Sequence, residues 1–339
     1  MSGDRPHMDS PTRIGWTRRR VMRDGVSVAC LGLLAASGCV PAVLKIPIVG
    51  FVSPAPADRE PFLHALRGVG RVEGQSMTFD WRTADEAAPQ LTPVVDELVR
   101  RPADVIATAG TITTQVAKGA TRTIPIVFFG VGDPVTSGLV ASLARPESNV
   151  TGVTNIAPQA IAKGLEFLLQ LVPGTARVAF VGNLAGNPGS LLQLAAAQSV
   201  ATAIGVQIMA FGVREAGDID RVFGSFSDAG VKAVMIGSDA ITINNQPRLV
   251  GLAAQYRLPA IYSRREFALA GGLIALGPNY PALWVRLAVL VDKIIRGRAP
   301  GDLPVEQPTE TALVVNAKTA QALGITIPRA ILVQAEVLQ

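Results

Sequence analysis

Cysteine and histidine are scarce in this sequence of 339 residues, which contains two of each. Both cysteines, Cys30 and Cys39, lie near the amino terminus, so the rest of the chain offers no internal disulfide and no thiolate metal site. Beyond residue 39 the one histidine is His64, which leaves little for histidine-based catalysis or a histidine-rich metal site. The sequence therefore predicts no metal site.

Enzyme motifs are also lacking. Residues 130–135 read Gly-Val-Gly-Asp-Pro-Val and have valine where a dinucleotide-binding fingerprint requires its third glycine. The chain contains no phosphate-binding Gly-x-x-x-x-Gly-Lys-Ser/Thr loop, and no serine has an evident histidine partner. We therefore predict a protein that is not an enzyme and that has no cofactor.

Aromatic residues make up 5% of the chain, whereas hydrophobic residues make up 49%. An aliphatic core of this kind is typical of α/β layers. The formal charge is +5, and six arginines against three aspartates within residues 1–24 supply +3 of it. Because no later cluster of lysine and arginine follows, the charge predicts no nucleic-acid partner.

The amino-terminal residues 1–39 have the pattern of an export signal. A basic stretch at residues 17–23 precedes an apolar run at residues 26–36 that is too short to span a bilayer. The paired arginines resemble a twin-arginine signal. The segment then ends at Cys39 like a lipobox, but with Ala36 where leucine is usual, so lipidation of Cys39 and ordinary cleavage near Ser37 both stay open. Either route predicts a periplasmic protein. Lipidation of Cys39 would add its one contact with the membrane.

Beyond the leader, strand and helix patterns alternate in two similar series, from about residue 46 to 129 and from 177 to 262. Near-continuous apolar strands between helices predict parallel sheets covered on both faces. The predicted fold is therefore α/β, with two doubly wound, Rossmann-like lobes joined by a multi-crossover hinge. A closed eight-stranded barrel is the alternative, but it does not explain the interruption at residues 149–155. We expect lobe 1 to comprise 46–153 plus about 273–300, and lobe 2 to comprise 156–270 plus about 301–337.

Ligands of open parallel sheets bind beyond the carboxyl ends of the strands, so the loops there are the candidate site. Gly110 and Thr111 open a helix whose free N–H groups suit a carboxylate, although they also suit a plain turn and cap. Asp239 could hold an ammonium group or cap the next helix. The predicted ligand-binding residues are Ser53, Gly110, Thr111, Asp133, Asn155, Asn183, Asp239, Tyr262, Glu266 and Tyr280.

Three of these residues suggest a particular ligand. Tyr262 could stack on a planar group while Glu266 holds an amine, and Tyr280 could act in a similar way. The alternative for Glu266 is an ion pair in solvent with Arg264 or Arg265.

Six segments of the chain form a recurring set: DPV at 133–135, GLVASLARP at 138–146, NVTGV at 149–153, LPVEQPT at 303–309, NAKTA at 316–320 and ALGITIP at 322–328. Together they resemble the ABC-transporter substrate-binding protein family, whose better-studied members bind aromatic amino acids. The resemblance implies the type I periplasmic-binding-protein fold with three hinge crossings. It also implies capture of a small polar or zwitterionic solute for an ABC permease and its ATPase, and we expect the protein to be a monomer.

Two other functions stay open at this point. The same fold serves as the ligand-sensing subunit of receptors, and an exported hydrolase is a further alternative that the scarcity of histidine and cysteine disfavours. A sugar-responsive repressor would need a DNA-binding helix pair where this chain has its leader.

Overall fold

The computed structural model describes residues 45–84, 91–101, 103–185 and 187–339. The predicted export signal, including Cys39, lies outside these residues. Residues 45–339 form a structural unit of their own. Among the described residues, no helix has both the length and the apolar character needed to cross a membrane.

The first lobe is built on a five-stranded parallel sheet with the order β2-β1-β3-β4-β5. Four of its strands are short and almost wholly buried, as expected for a sheet covered by helices on both faces, whereas the edge strand β2 is only partly buried. The elements are β1 (Ile48–Ser53), α1 (Arg59–Gly68), β2 (Thr78–Thr83), α2 (Leu91–Arg100), β3 (Val105–Ala109), α3 (Thr111–Ala120), β4 (Ile126–Val131) and β5 (Val150–Thr154).

The second lobe is built on a seven-stranded sheet with the order β12-β11-β10-β9-β8-β6-β7, in which β10 and β11 are antiparallel and the other pairs parallel. Its first elements are α4 (Ala157–Leu171), β6 (Arg177–Gly182), α5 (Pro188–Ala203), β7 (Gln207–Gly212), α6 (Ala216–Gly224), β8 (Ala233–Ile236), α7 (Ala240–Asn244), α8 (Gln246–Gln255), β9 (Ala260–Tyr262), α9 (Arg265–Leu269) and β10 (Ile274–Pro278). The chain then forms α10 (Tyr280–Ile295), which packs on the first lobe, and returns to the second lobe with β11 (Thr311–Asn316), α11 (Ala317–Leu323), α12 (Arg329–Leu332) and β12 (Glu336–Leu338).

The two sheets repeat one topology. The first has the order 2-1-3-4-5, and strands β7-β6-β8-β9-β10 reproduce that order in the second. This confirms the predicted pair of doubly wound lobes. One detail differs: residues 149–155 do not interrupt two four-stranded copies, because they contain β5, the fifth strand of the first sheet.

The chain crosses between the lobes three times, near residues 155–156, at Asn279 and between residues 307 and 310. The crossings differ from the predicted boundaries at about 273 and 301. Strand β10 pairs with β9 and β11, so it belongs to the second sheet. Residues 303–306 stay with the first lobe, since the N–H of Glu306 donates to the carbonyl of Gly152 and Leu303 is buried in the first lobe's core. Hydropathy alone does not distinguish which of two sheets an apolar strand joins.

Helix α10 leaves the second sheet and packs on the first lobe. Its buried face joins a core that includes Phe51 and Phe62, and the Trp284 ring stacks on Phe129 with centroids 3.6 Å apart. This aromatic packing fixes the start of α10, and therefore Tyr280, at the boundary between the lobes.

Candidate functional site

A cavity lies between the lobes at the carboxyl ends of the strands, where parallel α/β sheets bind ligands. The space open to the centres of water molecules is about 70 Å³, and one water requires roughly 10–15 Å³ of this measure. The cavity therefore has the size for a small solute. Its walls are Pro54, Ala55, Asp58, Ala109, Gly110, Thr111, Phe129, Gly130, Gly132, Asn155, Ala157, Pro158, Asn187, Gly189, Gln193, Ser238, Asp239, Ala240, Ile243, Arg264 and Tyr280.

Two opposite charges face each other in this cavity. Asp58, just before α1 in the first lobe, has a side chain that is 6% exposed, and Arg264 of the second lobe has one that is 17% exposed. The Asp58 Oδ1 atom lies 3.8 Å from Arg264 Nη1, and Ser53 Oγ donates to Asp58 Oδ2 over 2.7 Å. Burial raises the pKa of Asp58, and the charge of Arg264 opposes that shift. At 3.8 Å the pair is an ion pair without a hydrogen bond, so the carboxylate retains capacity to accept one.

Arg264 is held in place by an aromatic ring. Its guanidinium carbon lies 4.2 Å from the centroid of the Tyr280 ring, within the range of a cation–π interaction. The Nε atom of Arg264 is buried and has no hydrogen-bond partner among the residues that the structure describes. A guanidinium is always charged and has five N–H donors. Arg264 therefore has donors to offer to a bound acceptor.

The start of α3 is open to an anion. Its N-cap is Gly110, whose φ of 86° and ψ of 164° lie in a region that glycine alone adopts readily, and the position has no side chain to accept the first N–H groups. Three other helices that begin near the cavity are capped, α5 by Asn187, α7 by Asp239 and α10 by Asn279, whereas α1 and α4 also begin without a side-chain cap at the N-cap residue. No described side chain caps the α3 terminus, so its first N–H donors and its partial positive charge are available at the cavity.

Asp239 caps helix α7, which is the second of the two roles predicted for it. Its Oδ1 atom accepts from the N–H of Thr242, and its Oδ2 atom accepts from the N–H of Asn183 over 2.8 Å and from Ser190 Oγ over 3.1 Å. Burial raises the pKa of Asp239, and these hydrogen bonds oppose the shift. Asp239 lines the cavity, but its carboxylate is committed to capping α7 and fixing the neighbouring loop.

Five predicted residues do line the cavity: Gly110, Thr111, Asn155, Asp239 and Tyr280. Asn155 joins the first crossover to the end of β4, since its Nδ2 donates to the carbonyl of Gly130 over 2.6 Å and its Oδ1 accepts from the N–H of Ala157. Ser53 lies behind the wall, where its hydroxyl positions Asp58.

The other predicted residues lie elsewhere, which corrects the prediction. The Tyr262 ring stacks on Phe267 inside the second lobe's core, because its side chain lies on the face of β9 that packs against helices. Asp133 accepts from the N–H groups of Val135 and Thr136 and so closes a turn; the hydrogen bond from Thr136 is the main cause of its lowered pKa. Asn183 is absent from the cavity wall, and its backbone N–H donates to Asp239.

Glu266 also lies outside the wall. Glu266 is exposed on α9. This helix begins directly after Arg264, which lines the cavity. Neither predicted ion pair of Glu266 is present among the described residues, because Arg264 faces Asp58 and Arg265 pairs with Glu336.

Sequence reasoning missed Asp58 and Arg264, together with Asn187 and Gln193 of the second lobe. The signal that could have found the first two is their position. Asp58 follows the Pro-rich turn after β1, and Arg264 follows β9 by two residues, so both obey the strand-end rule.

Comparisons with known proteins show which family the chain resembles. A sequence model of the family described as ABC transporter substrate binding protein matches residues 45–338. A tyrosine-binding protein of Clostridioides difficile is 25% identical over 264 residues, which cover 78% of this chain and 75% of that protein.

Solved structures show the same fold. A conserved domain protein from Vibrio cholerae O1 biovar El Tor is 26% identical, with a TM-score of 0.81, over 87% of this chain and all of that one. An ABC domain from Streptococcus pneumoniae in complex with L-Trp is 23% identical, with a TM-score of 0.76, over 86% of this chain and all of that one. The family model matches nearly all of the described residues, and the chain has two lobes of the same topology with a ligand-sized cavity between them. The chain therefore belongs to the ABC transporter substrate-binding protein family.

Proposed function

We propose that this protein binds a free amino acid with an aromatic side chain in the cavity between its lobes and delivers it to the permease of an ABC importer. The observation that carries the proposal is the buried Asp58–Arg264 pair beside the uncapped start of α3. A free amino acid carries an ammonium group and a carboxylate on the same α carbon, and this cavity offers a partner for each.

The ammonium group would bind at Asp58. Asp58 Oδ1 accepts no hydrogen bond from the described residues, whereas both carboxylate oxygens of Asp239 already accept. The carboxylate would bind at the N–H groups of Thr111 and the residues after it, because Gly110 supplies no cap. Each contact would be a charge-assisted hydrogen bond, the stronger kind in proteins.

An aromatic side chain fits the remaining walls. Phe129 and Tyr280 supply rings, and the Arg264 guanidinium, already against Tyr280, is a planar cation that stacks well on π-systems. The Clostridioides relative is named a tyrosine-binding protein, and the Streptococcus structure contains L-Trp, which supports the same ligand class.

The leader supplies the remaining part of the proposal. The basic and apolar segments before Cys39 favour export, with a lipid on Cys39 as the membrane anchor and the twin-arginine route as the path. In this account the protein works as a periplasmic monomer without enzymatic activity.

Calorimetric titration of the purified protein tests the ligand class. L-tyrosine, L-tryptophan and L-phenylalanine are expected to bind with one-to-one stoichiometry. Tyramine lacks the carboxylate and 3-(4-hydroxyphenyl)propionate lacks the ammonium group, so each is expected to bind at least about tenfold more weakly than L-tyrosine. Heat from a neutral polyol such as myo-inositol, with none from the amino acids, would contradict the proposal.

A further inference from the structure

A hydrogen bond joins the two lobes at the rim of the cavity between them. Asn244, the last residue of α7 in the second lobe, donates from its Nδ2 atom to the carbonyl of Pro54 in the first lobe over 2.8 Å. Pro54 lines the cavity, as does Ile243, whereas Asn244 is exposed and is not part of the cavity wall. The hydrogen bond therefore crosses the cleft without entering the space for the ligand.

The acceptor belongs to a stiff turn of the first lobe, residues 53–58. The N–H of Ala55 donates to Ser53 Oγ over 3.1 Å, and the N–H of Asp58 donates to the carbonyl of Ala55 over 3.0 Å. Two prolines in the turn have fixed φ angles. The carbonyl of Pro54 is therefore held in one position relative to the first lobe.

The donor is held as firmly by the second lobe. Asp239 and Thr242 form a capping box at the start of α7, and Ile241 of the same helix is buried in the second lobe's core. Because both partners are fixed to their own lobes, the distance between Asn244 and Pro54 follows the distance between the lobes at the rim of the cleft.

The hydrogen bond is sensitive to small openings of the cleft. It is lost once the donor and acceptor atoms move from 2.8 Å to beyond about 3.5 Å, so an opening of roughly 1 Å at this point breaks it. The attraction between Asp58 and Arg264 falls only gradually with distance. The contact of Asn244 therefore distinguishes the closed arrangement from a partly open one more sharply than the ion pair does.

We propose that Asn244 is a latch residue: its hydrogen bond to Pro54 stabilises the closed arrangement of the lobes and so sets how long a ligand is retained. Asn244 is a positioning residue, because it holds the lobes together and has no contact with the ligand. Since the cleft must open before a ligand leaves, a bond that exists only in the closed form slows dissociation and leaves association unchanged. The identity of the ligand rests on the proposed function, whereas the latch concerns the lobes with or without a ligand.

Hydrogen–deuterium exchange of the ligand-free protein tests the latch across the cleft. Asn244→Ala removes the donor in the second lobe, and the readout is exchange at the N–H groups of Ala55 and Asp58 in the first lobe. Exchange there should become about 2- to 10-fold faster, the factor that one exposed hydrogen bond accounts for. A role of Asn244 confined to α7 would leave exchange in the opposite lobe unchanged.

Gln246→Ala is the matched control. The Nε2 atom of Gln246 also donates to a backbone carbonyl, that of Glu266, but both residues belong to the second lobe. The variant loses the same kind of hydrogen bond and should exchange like the unmodified protein at Ala55 and Asp58. Asn244→Asp is a second test variant: its carboxylate cannot donate to the carbonyl of Pro54, so exchange should be at least as fast as in Asn244→Ala.

Stopped-flow fluorescence with L-tyrosine measures the effect on the ligand. Phe129 lines the cavity and stacks on Trp284, so tryptophan fluorescence is the signal for occupancy. Asn244→Ala should raise the dissociation rate constant about 2- to 10-fold and change the association rate constant by less than about twofold. Gln246→Ala should leave both rate constants unchanged.

Equal exchange at Ala55 and Asp58 in the unmodified protein and both Asn244 variants would overturn the latch. An unchanged dissociation rate of L-tyrosine in Asn244→Ala, or equally fast exchange in Gln246→Ala, would overturn it as well. If the unmodified protein does not bind L-tyrosine, the proposed function fails, and the exchange measurement decides on the latch by itself.

Discussion

Asp58 and Arg264 approach each other from opposite lobes, with Oδ1 and Nη1 3.8 Å apart inside the cavity. Ser53 holds the carboxylate from behind, and the Tyr280 ring supports the guanidinium. The two charges are neighbours only where the lobes meet, so their separation depends on how far the cleft is closed. A ligand that bonds both would favour the closed form over the open one.

Replacing Asp58 with asparagine should lower amino-acid affinity by about 10- to 100-fold, because a charge-assisted hydrogen bond to the ligand's ammonium group becomes a neutral one. Calorimetry with L-tyrosine measures the loss. Asp133→Asn is the control, since Asp133 closes a turn outside the cavity and its variant should keep the affinity of the unmodified protein. Equal affinities for all three proteins would refute the role of Asp58.

Binding should weaken as the pH falls through the pKa of Asp58. Burial raises that pKa above the ordinary value of 3.8, and the ligand's ammonium group favours the ionised form, so protonation competes with binding. Affinity should be constant above the raised pKa and fall by up to about tenfold per pH unit below it.

The same shift has a defined sign for stability. Between 3.8 and the raised pKa the folded state binds more protons at Asp58 than the unfolded state does. The contribution of Asp58 to the free energy of unfolding is therefore largest at low pH and is lost as the pH rises through the raised pKa.

The Asp58→Asn variant is the control for the pH dependence of binding. Calorimetric titration of this variant should show an affinity that no longer falls as the pH drops through this range. A fall of the same size in the variant would assign the titration to another group.

Arg264→Lys keeps the charge but loses the planar group that packs against Tyr280. We expect affinity for L-tyrosine to fall by about 3- to 30-fold, the range of a cation–π contact together with one hydrogen bond. Full affinity in the lysine variant would mean that only the charge of Arg264 matters.

Closure of the lobes is tested separately. Small-angle X-ray scattering should show the unmodified protein becoming more compact on saturation with L-tyrosine.

Gly110→Ala should destabilise the protein by about 1–3 kcal/mol, because the residue has a φ of 86° that a side chain strains. It should also weaken ligand binding, since Gly110 opens α3 at the cavity. Gly119→Ala in the same helix is the matched control: its Cβ would meet nothing within 4 Å, so it should be neutral or stabilise by up to about 1 kcal/mol. Chemical denaturation measures both, and equal effects would contradict the special role of Gly110.

Tyr262→Phe should leave the free energy of unfolding unchanged or raise it by up to about 1 kcal/mol. The ring and its stacking on Phe267 remain, while a buried hydroxyl that has no partner among the described residues is removed. Denaturation of the ligand-free protein tests this. A loss of more than about 1 kcal/mol would show that the hydroxyl has a stabilising partner.

The lobes could be predicted because buried parallel strands and amphipathic helices have local signatures. Strand β8 (Ala233–Ile236) is a wholly buried apolar run, and helix α1 (Arg59–Gly68) buries its apolar residues on one face. The lobe boundaries could not be predicted, because β10 is equally apolar whichever sheet it joins. Its pairing with β11, some 40 residues later, is a tertiary choice that no local pattern contains.

Sequence analysis identified candidate residues whose position depends on backbone geometry. It missed those whose position depends on the direction of a side chain. Gly110 was identified because a strand that ends in glycine before a helix leaves open N–H groups. Tyr262 and Arg264 are two residues apart at one strand end, yet the tyrosine is buried in the lobe and the arginine faces the cavity. Sequence alone does not say where a strand stops alternating and the chain turns.

A crystal structure of the protein with bound L-tyrosine or L-tryptophan tests the central claim most directly. We expect the ligand's ammonium nitrogen to lie within hydrogen-bond distance of Asp58 and its carboxylate at the N–H groups that begin α3, with the lobes closed around the ligand. An amino acid bound with these ends reversed, or outside the space between the lobes, would contradict it.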